Sequence, residues 1–135
     1  VVIDWMPDAD LDPLDPRVVR VRATGLVRLT FTSHLRVVRL SADGRTVREV
    51  TGVALRPEGE GEEYGVEDPR ITPLDGRYFV TYVAVSRHGP ATALASTTDF
   101  QTFDRHGVIF CPENKDVVLF PEKVGGGYAA LHQPV

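Results

Sequence analysis

A single cysteine, Cys111, stands among the 135 residues, with one methionine, one tryptophan and two lysines against thirteen arginines. One thiol cannot form an internal disulfide, and this poverty in cysteine fits a reducing compartment, so a cytoplasmic location is expected. Beside Phe110, Cys111 reads as a small apolar filler without the local motif of a nucleophile. No run of about 18 apolar residues is present, which gives no candidate membrane-spanning helix. The acidic opening VVIDWMPDADLDP lacks the apolar stretch of a signal peptide, so no targeting segment is expected in it. Basic excess is missing as well: the net charge is -4, whereas a nucleic-acid binder shows clustered positive charge, so no nucleic-acid partner is expected. The absence of HxxxH, CxxC, P-loop and GxSxG patterns leaves a metal site, a nucleotide cradle and a serine hydrolase without support. No segment carries a convincing helical period of 3.6 residues.

What is there reads as all-β. Runs rich in Val, Leu, Thr, Tyr and Phe recur between turn residues: VVRVRAT, LVRLTFTSH, LRVVRLSAD, VREVTGVAL, GRYFVTYVAVS, ATALASTTD, VVLFPEKV and GYAALHQ. Asp43-Gly44 and Asp75-Gly76 are hairpin signals, and Gly89-Pro90 is a break. In GRYFVTYVAVS both alternating faces are largely apolar, so this strand is expected to be covered on both sides, as in packed sheets of a sandwich or propeller. At 42% apolar, one domain of this length can bury a real core. A repeat sharpens the choice. Asp15-Pro16-Arg17, Asp68-Pro69-Arg70 and Phe120-Pro121-Glu122 place prolines 53 and 52 residues apart, a propeller-blade period. The expected units are 15–67, 68–119 and 120–135 of one partial β-propeller domain, two blades and the start of a third.

Asp-Pro-Arg is a constrained tripeptide: proline fixes its own φ and biases the preceding aspartate toward extended backbone, so Asp68 and Arg70 should point the same way. Two readings stay open for Asp68, a catalytic carboxyl or a polar way to start a strand, since Asp15-Pro16-Arg17 repeats the tripeptide. Ser86-Arg87-His88-Gly89 and Asp104-Arg105-His106-Gly107 each set an arginine and a histidine beside a turn glycine, where guanidinium forks suit phosphate but exposed loop residues are the plainer account. Pro112-Glu113-Asn114-Lys115-Asp116 gathers amide, ammonium and carboxylate, groups that recognise sugar hydroxyls or phosphate. Ser33-His34-Leu35-Arg36 has the same ambiguity.

Taken in order, DPRVVR, LTFTSHLR, SADG, EEYGVEDPRIT, GRYFVTYVAVSRHGPATALASTTDF, DRHGVIFCPENKDVVLFPEKV and ALHQP resemble glycoside hydrolase family 130, the mannoside phosphorylases and related mannosidases, over about the N-terminal half of such an enzyme. The resemblance implies a five-bladed β-propeller with its site at the central channel. It also implies inverting phosphorolysis of β-1,2- or β-1,4-linked manno-oligosaccharides to α-mannose 1-phosphate by a glycosyltransferase-type phosphorylase. Asp68 falls on the general acid of the EDPR motif, whose proton passes to the glycosidic oxygen through a sugar hydroxyl. Phosphate needs only to be held, and the resemblance gives that task to Arg87 with His88 and to Arg105. Arg36, Arg70, Asn114, Lys115, Asp116 and His132 match channel positions that contact sugar or phosphate. Gln133 departs from the family's His-Arg-Pro by lacking the arginine.

The implied partners are a manno-oligosaccharide and inorganic phosphate as co-substrate, with no metal, other cofactor or membrane, and a homo-oligomer is compatible with the reading. A β-mannoside hydrolase on the same fold and a non-catalytic carbohydrate-binding propeller are the competing readings. The 135 residues by themselves are expected to have little or no activity, because an open piece of a ring exposes sheet faces and edges.

Overall fold

The computed structural model describes residues 4–134; the first three residues of the acidic opening and Val135, the end of the third sequence unit, lie outside the described residues. The backbone divides into two compact units, one ending at Thr32 and one starting at Ser33. In the first, a 3-10 turn at Asp8–Asp10 leads into an antiparallel sheet of β1 (Leu11–Pro13), β2 (Val18–Val21) and β3 (Val27–Leu29), in that order. Asp15-Pro16-Arg17 forms the β1–β2 turn, where the Asp15 Oδ1 accepts the Arg17 N–H at 2.6 Å and the Val18 N–H at 3.0 Å. A carboxylate two residues back mimics a backbone turn, so here the tripeptide is turn chemistry.

The second unit opens with a hairpin of β4 (Leu35–Leu40) and β5 (Val47–Leu55). Its turn carries the Asp43-Gly44 signal, with Gly44 at φ 71° and the Asp43 Oδ1 accepting from the Ser41 hydroxyl and the Arg45 N–H. A 3-10 turn at Glu60–Glu62 precedes a four-stranded antiparallel meander, β6 (Gly65–Leu74), β7 (Arg77–Ser86), β8 (Gly89–Thr97) and β9 (Asp104–Phe110). Asp75-Gly76 turns β6 into β7 with positive φ at both residues, the two-residue hairpin that Asp-Gly favours. The last pair is β10 (Asn114–Leu119) and β11 (Ala130–Pro134).

The expected two-sided burial of GRYFVTYVAVS holds: β7 is buried without a break from Val80 to Ala84. On one face Tyr82 and Ala84 pack with Val66, Ala93, Ala95 and Leu55, and Leu35 and Phe103 close over them. Alanines opposite Tyr82 and Ala84 leave room for the ring and for close approach of the β5 end. The other face is polar in an unusual way. Thr72, Thr81 and Thr92, from three neighbouring strands, donate their hydroxyls to the carbonyls of Leu119 (3.2 Å), Val117 (2.5 Å) and Asn114 (3.4 Å) on β10. Strand β10 pairs with β11 on one side only, so these hydroxyls satisfy carbonyls that would otherwise be orphaned against the sheet. Threonine suits both demands, being a strong strand former that carries a donor.

Thr81→Val keeps the shape and removes one donor, leaving the buried Val117 carbonyl unpaired. Urea unfolding should show a loss of about 1–3 kcal/mol, and Thr81→Ser, which keeps the hydroxyl, should lose less. Equal losses in the two variants would show that the methyl and not the hydroxyl matters.

Candidate functional site

Strand β6 is tied down at its start. Gly65 has φ 138°, and a Cβ there would meet the Ser33 hydroxyl at 2.3 Å, so only glycine permits the bridge between Ser33 and Gly65. The Ser33 hydroxyl donates to the Glu67 carboxylate at 2.6 Å, fixing the residue before Asp68. Register then breaks. Glu67 pairs with Val83 and Arg70 with Thr81, so Asp68 and Pro69 together oppose the single residue Tyr82, a β-bulge. Proline has no N–H to give the ladder, which makes a bulge its natural place in a strand. Asp68 is exposed with φ 49°. The extended backbone expected before proline is therefore absent: the bulge needs a left-handed residue, and aspartate tolerates that region better than most side chains. The expected alternation also fails, because the extra residue puts Glu67 and Arg70, rather than Asp68 and Arg70, on one face.

Strand β10 repeats this device. Lys115 pairs with Gln133 and Val118 with Leu131, so Asp116 and Val117 oppose the single residue His132. Asp116 has φ 53°. Arg70 reaches across from the first bulge to the second: its Nη2 donates to the Asp116 carboxylate at 3.1 Å, while its Nη1 faces the carbonyls of Asp68 and Pro69 at 3.5 and 3.4 Å. Beside them Asn114 is buried, its amide 2.9 Å from the Nδ1 of His132, whose ring stacks on Phe110 with centroids 4.8 Å apart. The Asn114 Oδ1 is buried without a hydrogen-bond partner. Lys115, half-buried next to Asp116, makes no ion pair among the described residues, and nor does Arg36 on β4. Arg36 and Pro69 both line a cleft of about 550 Å³, whose walls include Leu35, Ile71, Phe100 and Phe103 and the charged side chains of Arg39 and Asp99. Arg70 and Asp116 are thus in direct contact, Arg36 shares a cleft with Pro69, and Asn114, Lys115 and His132 sit on the paired strands β10 and β11, with Asn114 over β8 and His132 against Phe110 of β9.

Arg87, His88 and Arg105 are placed elsewhere. Arg87, in the β7–β8 turn, lies level with Glu63, five residues before Asp68 and so roughly 15 Å from it along β6. Its Nε and Nη2 both donate to the Glu63 carboxylate at 2.7 Å, and its backbone N–H adds a bond of 3.0 Å. The guanidinium fork, and then the backbone donor, hold the Glu63 carboxyl at about 2 against its ordinary 4.5, and Glu63 in turn raises Arg87. His88 is exposed, with its backbone N–H on the Ser86 hydroxyl. Arg105 lies on the Tyr82 face. Its Nη1 donates to the buried Glu62 at 2.8 Å, its Nε sits 3.3 Å from Glu58, and its Nη2 binds the Arg56 carbonyl. Tyr82 donates to the other Glu62 oxygen at 2.7 Å, and burial first, then this bond, pushes the phenol up. Both arginines expected to hold phosphate pair with consecutive glutamates, Arg105 with Glu62 and Arg87 with Glu63. Glu62 and Glu63 were missed as their partners, although both stand in EEYGVEDPRIT, because only the strand register reveals which carboxylate each arginine meets.

Comparison with known proteins settles what this arrangement belongs to. The sequence model of glycoside hydrolase family 130, described as beta-1,4-mannooligosaccharide phosphorylase, matches residues 34–134. The chain belongs to glycoside hydrolase family 130. The beta-1,2-mannobiose phosphorylase of Listeria innocua is 42% identical over 96% of this chain and 37% of its own length. The 1,2-beta-oligomannan phosphorylase of Thermoanaerobacter sp. is 34% identical over 70% of this chain and 33% of that protein. A solved structure of the Listeria innocua beta-1,2-mannobiose phosphorylase in complex with beta-1,2-mannobiose superposes with a TM-score of 0.71 at 39% identity, covering 95% of this chain and 36% of that one.

The all-β, propeller-type fold expected from the sequence is the fold of that family 130 structure. The chain spans about 37% of the length of its Listeria relative, less than the half that the motifs suggested. The class is corrected too: this is a glycoside hydrolase family with phosphorylase members, and glycosyltransferase-type does not describe it.

The Glu63–Arg87 pair has a direct readout. Carbon-13 NMR titration should put the Glu63 carboxyl midpoint near 2, and Arg87→Ala should return it toward 4.5. A carboxyl depressed in the folded state stabilises above its unfolded value, so this contribution is complete above pH 4.5 and fades as pH falls toward 2. A midpoint unmoved by Arg87→Ala would refute the pairing.

Proposed function

We propose that the intact protein is an inverting β-mannoside phosphorylase acting on β-1,2- or β-1,4-linked manno-oligosaccharides, with Asp68 as general acid in a five-bladed ring. The observation that carries this reading is an exposed carboxyl on a left-handed bulge, bordered by cations with no carboxylate partner and by acids that already have one. Inverting hydrolysis requires a second carboxylate about 6.5–9.5 Å from the acid to activate water. Two acids beside Asp68 are engaged, its neighbour Glu67 by Ser33 and Asp116, on the β10–β11 sheet, by Arg70. Arg36 and Lys115 have no such partner, so an anion can take that place.

In the reaction a phosphate oxygen attacks the anomeric carbon of the mannosyl residue as the glycosidic C–O bond breaks. Asp68 gives its proton, through a sugar hydroxyl, to the departing oxygen. The products are α-mannose 1-phosphate and a sugar shortened by one unit, and solvent restores the proton to Asp68. Arg36 and Lys115 hold phosphate in this scheme, while the buried Asn114 amide and His132 meet sugar hydroxyls. Lys115 lies opposite Gln133, where the family carries arginine, so it supplies the cation of that rung. Arg87 and Arg105 are left out of the phosphate site because each is engaged by a carboxylate, and His88 because it stands in the same turn as Arg87.

With β-1,2-mannobiose and β-1,4-mannobiose as substrates, the intact protein should release mannose 1-phosphate only when inorganic phosphate is present. Asp68→Asn should lower that rate by at least about a thousandfold while mannobiose binding persists. Phosphate-independent release of mannose would make the protein a hydrolase, and mannoside binding without turnover would make it a lectin.

A separate variant tests the cations. Lys115→Ala should raise KM for phosphate about tenfold or more with KM for mannobiose little changed, whereas Arg87→Ala should leave both within about twofold. The reverse pattern would return the phosphate to Arg87.

A further inference from the structure

Arg70 and Asp116 were expected to contact sugar or phosphate, yet they contact each other, across 46 residues of sequence. We propose that Asp116 is a positioning residue for Asp68, acting through Arg70. The inference rests on the reading of Asp68 as the general acid.

The two bulges carry the argument. Both set two residues against one, both begin on an aspartate, and both aspartates have left-handed backbone, φ 49° and 53°. A non-glycine residue in that region is strained and persists only where its surroundings over-determine it. At the first bulge the surroundings are the Ser33–Gly65 bridge before Asp68 and the Arg70 guanidinium after it. On β6 the guanidinium meets the Asp68 and Pro69 carbonyls through Nη1, at 3.5 and 3.4 Å, and its other end is free to be held from elsewhere. Asp116 holds it from the second bulge, and β10 is fixed against the same sheet by the Thr72, Thr81 and Thr92 hydroxyls.

Asp116 has a second effect, on charge. Arg70 is two residues from Asp68, and its Nη1 faces the Asp68 carbonyl oxygen. With Nη2 drawn to Asp116, the guanidinium lies off the Asp68 carboxyl. Without Asp116 the guanidinium stays beside Asp68 through the Asp68 and Pro69 carbonyls, and there pairing with the Asp68 carboxyl would favour the ionised form, which is the wrong form for a proton donor. The other charged groups around this region are Arg36 from β4, with His34 leading into it, Glu67 on β6, Lys115 on β10, and Arg39 and Asp99 in the cleft that Arg36 and Pro69 line. Among the described residues Asp116 is the carboxylate that pairs with Arg70, so its removal frees that end of the guanidinium.

The test uses the intact protein with mannobiose and phosphate, and compares Asp116→Ala, Asp116→Asn, Arg70→Ala and the double Arg70→Ala/Asp116→Ala variant. Asp116→Ala should lower kcat about tenfold or more with KM for mannobiose changed less than about threefold, and should move the alkaline limb of the kcat/KM profile to lower pH. Asp116→Asn, which keeps the acceptor without the charge, should fall between it and the parent. The double variant should be no worse than the poorer single variant, and its alkaline limb should return, because no guanidinium remains to pair with Asp68. Additive losses, or an alkaline limb that stays put in Asp116→Ala, would overturn the proposal. Should Asp68→Asn keep its activity, the acid assignment falls. Should Asp68→Asn be inactive while the two variants act additively, only the positioning role falls.

Discussion

Three threonine hydroxyls hold this molecule's polar region together. Thr72, Thr81 and Thr92 come from adjacent strands of one sheet and give their protons to the outer carbonyls of β10. A sheet face covered by leucines would bury β10 only by abandoning those carbonyls, at a cost comparable to a lost hydrogen bond each. The hydroxyls remove that penalty and set the height and direction of β10 over the sheet. Everything on β10 inherits the placement: Asn114 at one end, Lys115 and Asp116 in the middle, and through β11 the ring of His132. The buried face of β7 therefore helps set the position of β10, which carries part of the candidate site.

Arginine is abundant here, and the structure divides it by task. Arg87 and Arg105 serve Glu63 and Glu62, consecutive carboxylates at the entrance to β6, one pair exposed and one largely buried with Tyr82. A buried carboxylate demands several donors, and Glu62 receives the Tyr82 hydroxyl, the Arg105 guanidinium and the Glu58 N–H. The planar fork of arginine can meet such demands where the point charge of lysine cannot. The chain has only two lysines, and Lys123 is paired with Asp75, which leaves Lys115 as the lysine with no acid of its own.

The strands, the Asp-Gly hairpins and the two-sided burial of β7 were legible because each depends on a few adjacent residues. Asp68 was legible as a special position for the same reason, since Pro69 restricts it locally. The pairing of like with like was not. Spacing joined Asp15-Pro16-Arg17 to Asp68-Pro69-Arg70, but the first is a turn closed by its own carboxylate and the second a bulge inside a strand. The true counterpart of Asp68 is Asp116, whose neighbours share none of its sequence. Equivalence there lies in two residues opposing one across a ladder, and a ladder partner is a property of the folded chain. Arginine partners were illegible on the same ground. Spacing along the chain placed Arg87 and Arg105 after Asp68, whereas antiparallel return carries Arg87 back to the level of Glu63.

The balance of charge around Asp68 ties the site's geometry to its proposed chemistry. Arg36, Arg70 and Lys115 contribute three positive charges, and Glu67 and Asp116 two negative ones. While Asp68 holds its proton the group is net positive, which favours an incoming phosphate at short range, where screening by salt is weak. Once the proton has passed to the leaving sugar, Asp68 becomes the third negative charge and the excess vanishes. In the proposed reaction the attraction for phosphate would thus be present before the transfer and spent by it, so the step that makes the sugar phosphate would also loosen the hold on it. A hydrolase with two ionisable carboxylates and no unpaired cations would have no comparable change to exploit. In the proposed site the acid and the cations are two aspects of one electrostatic arrangement, and Asp116 keeps Arg70 apart from the acid by pairing with it.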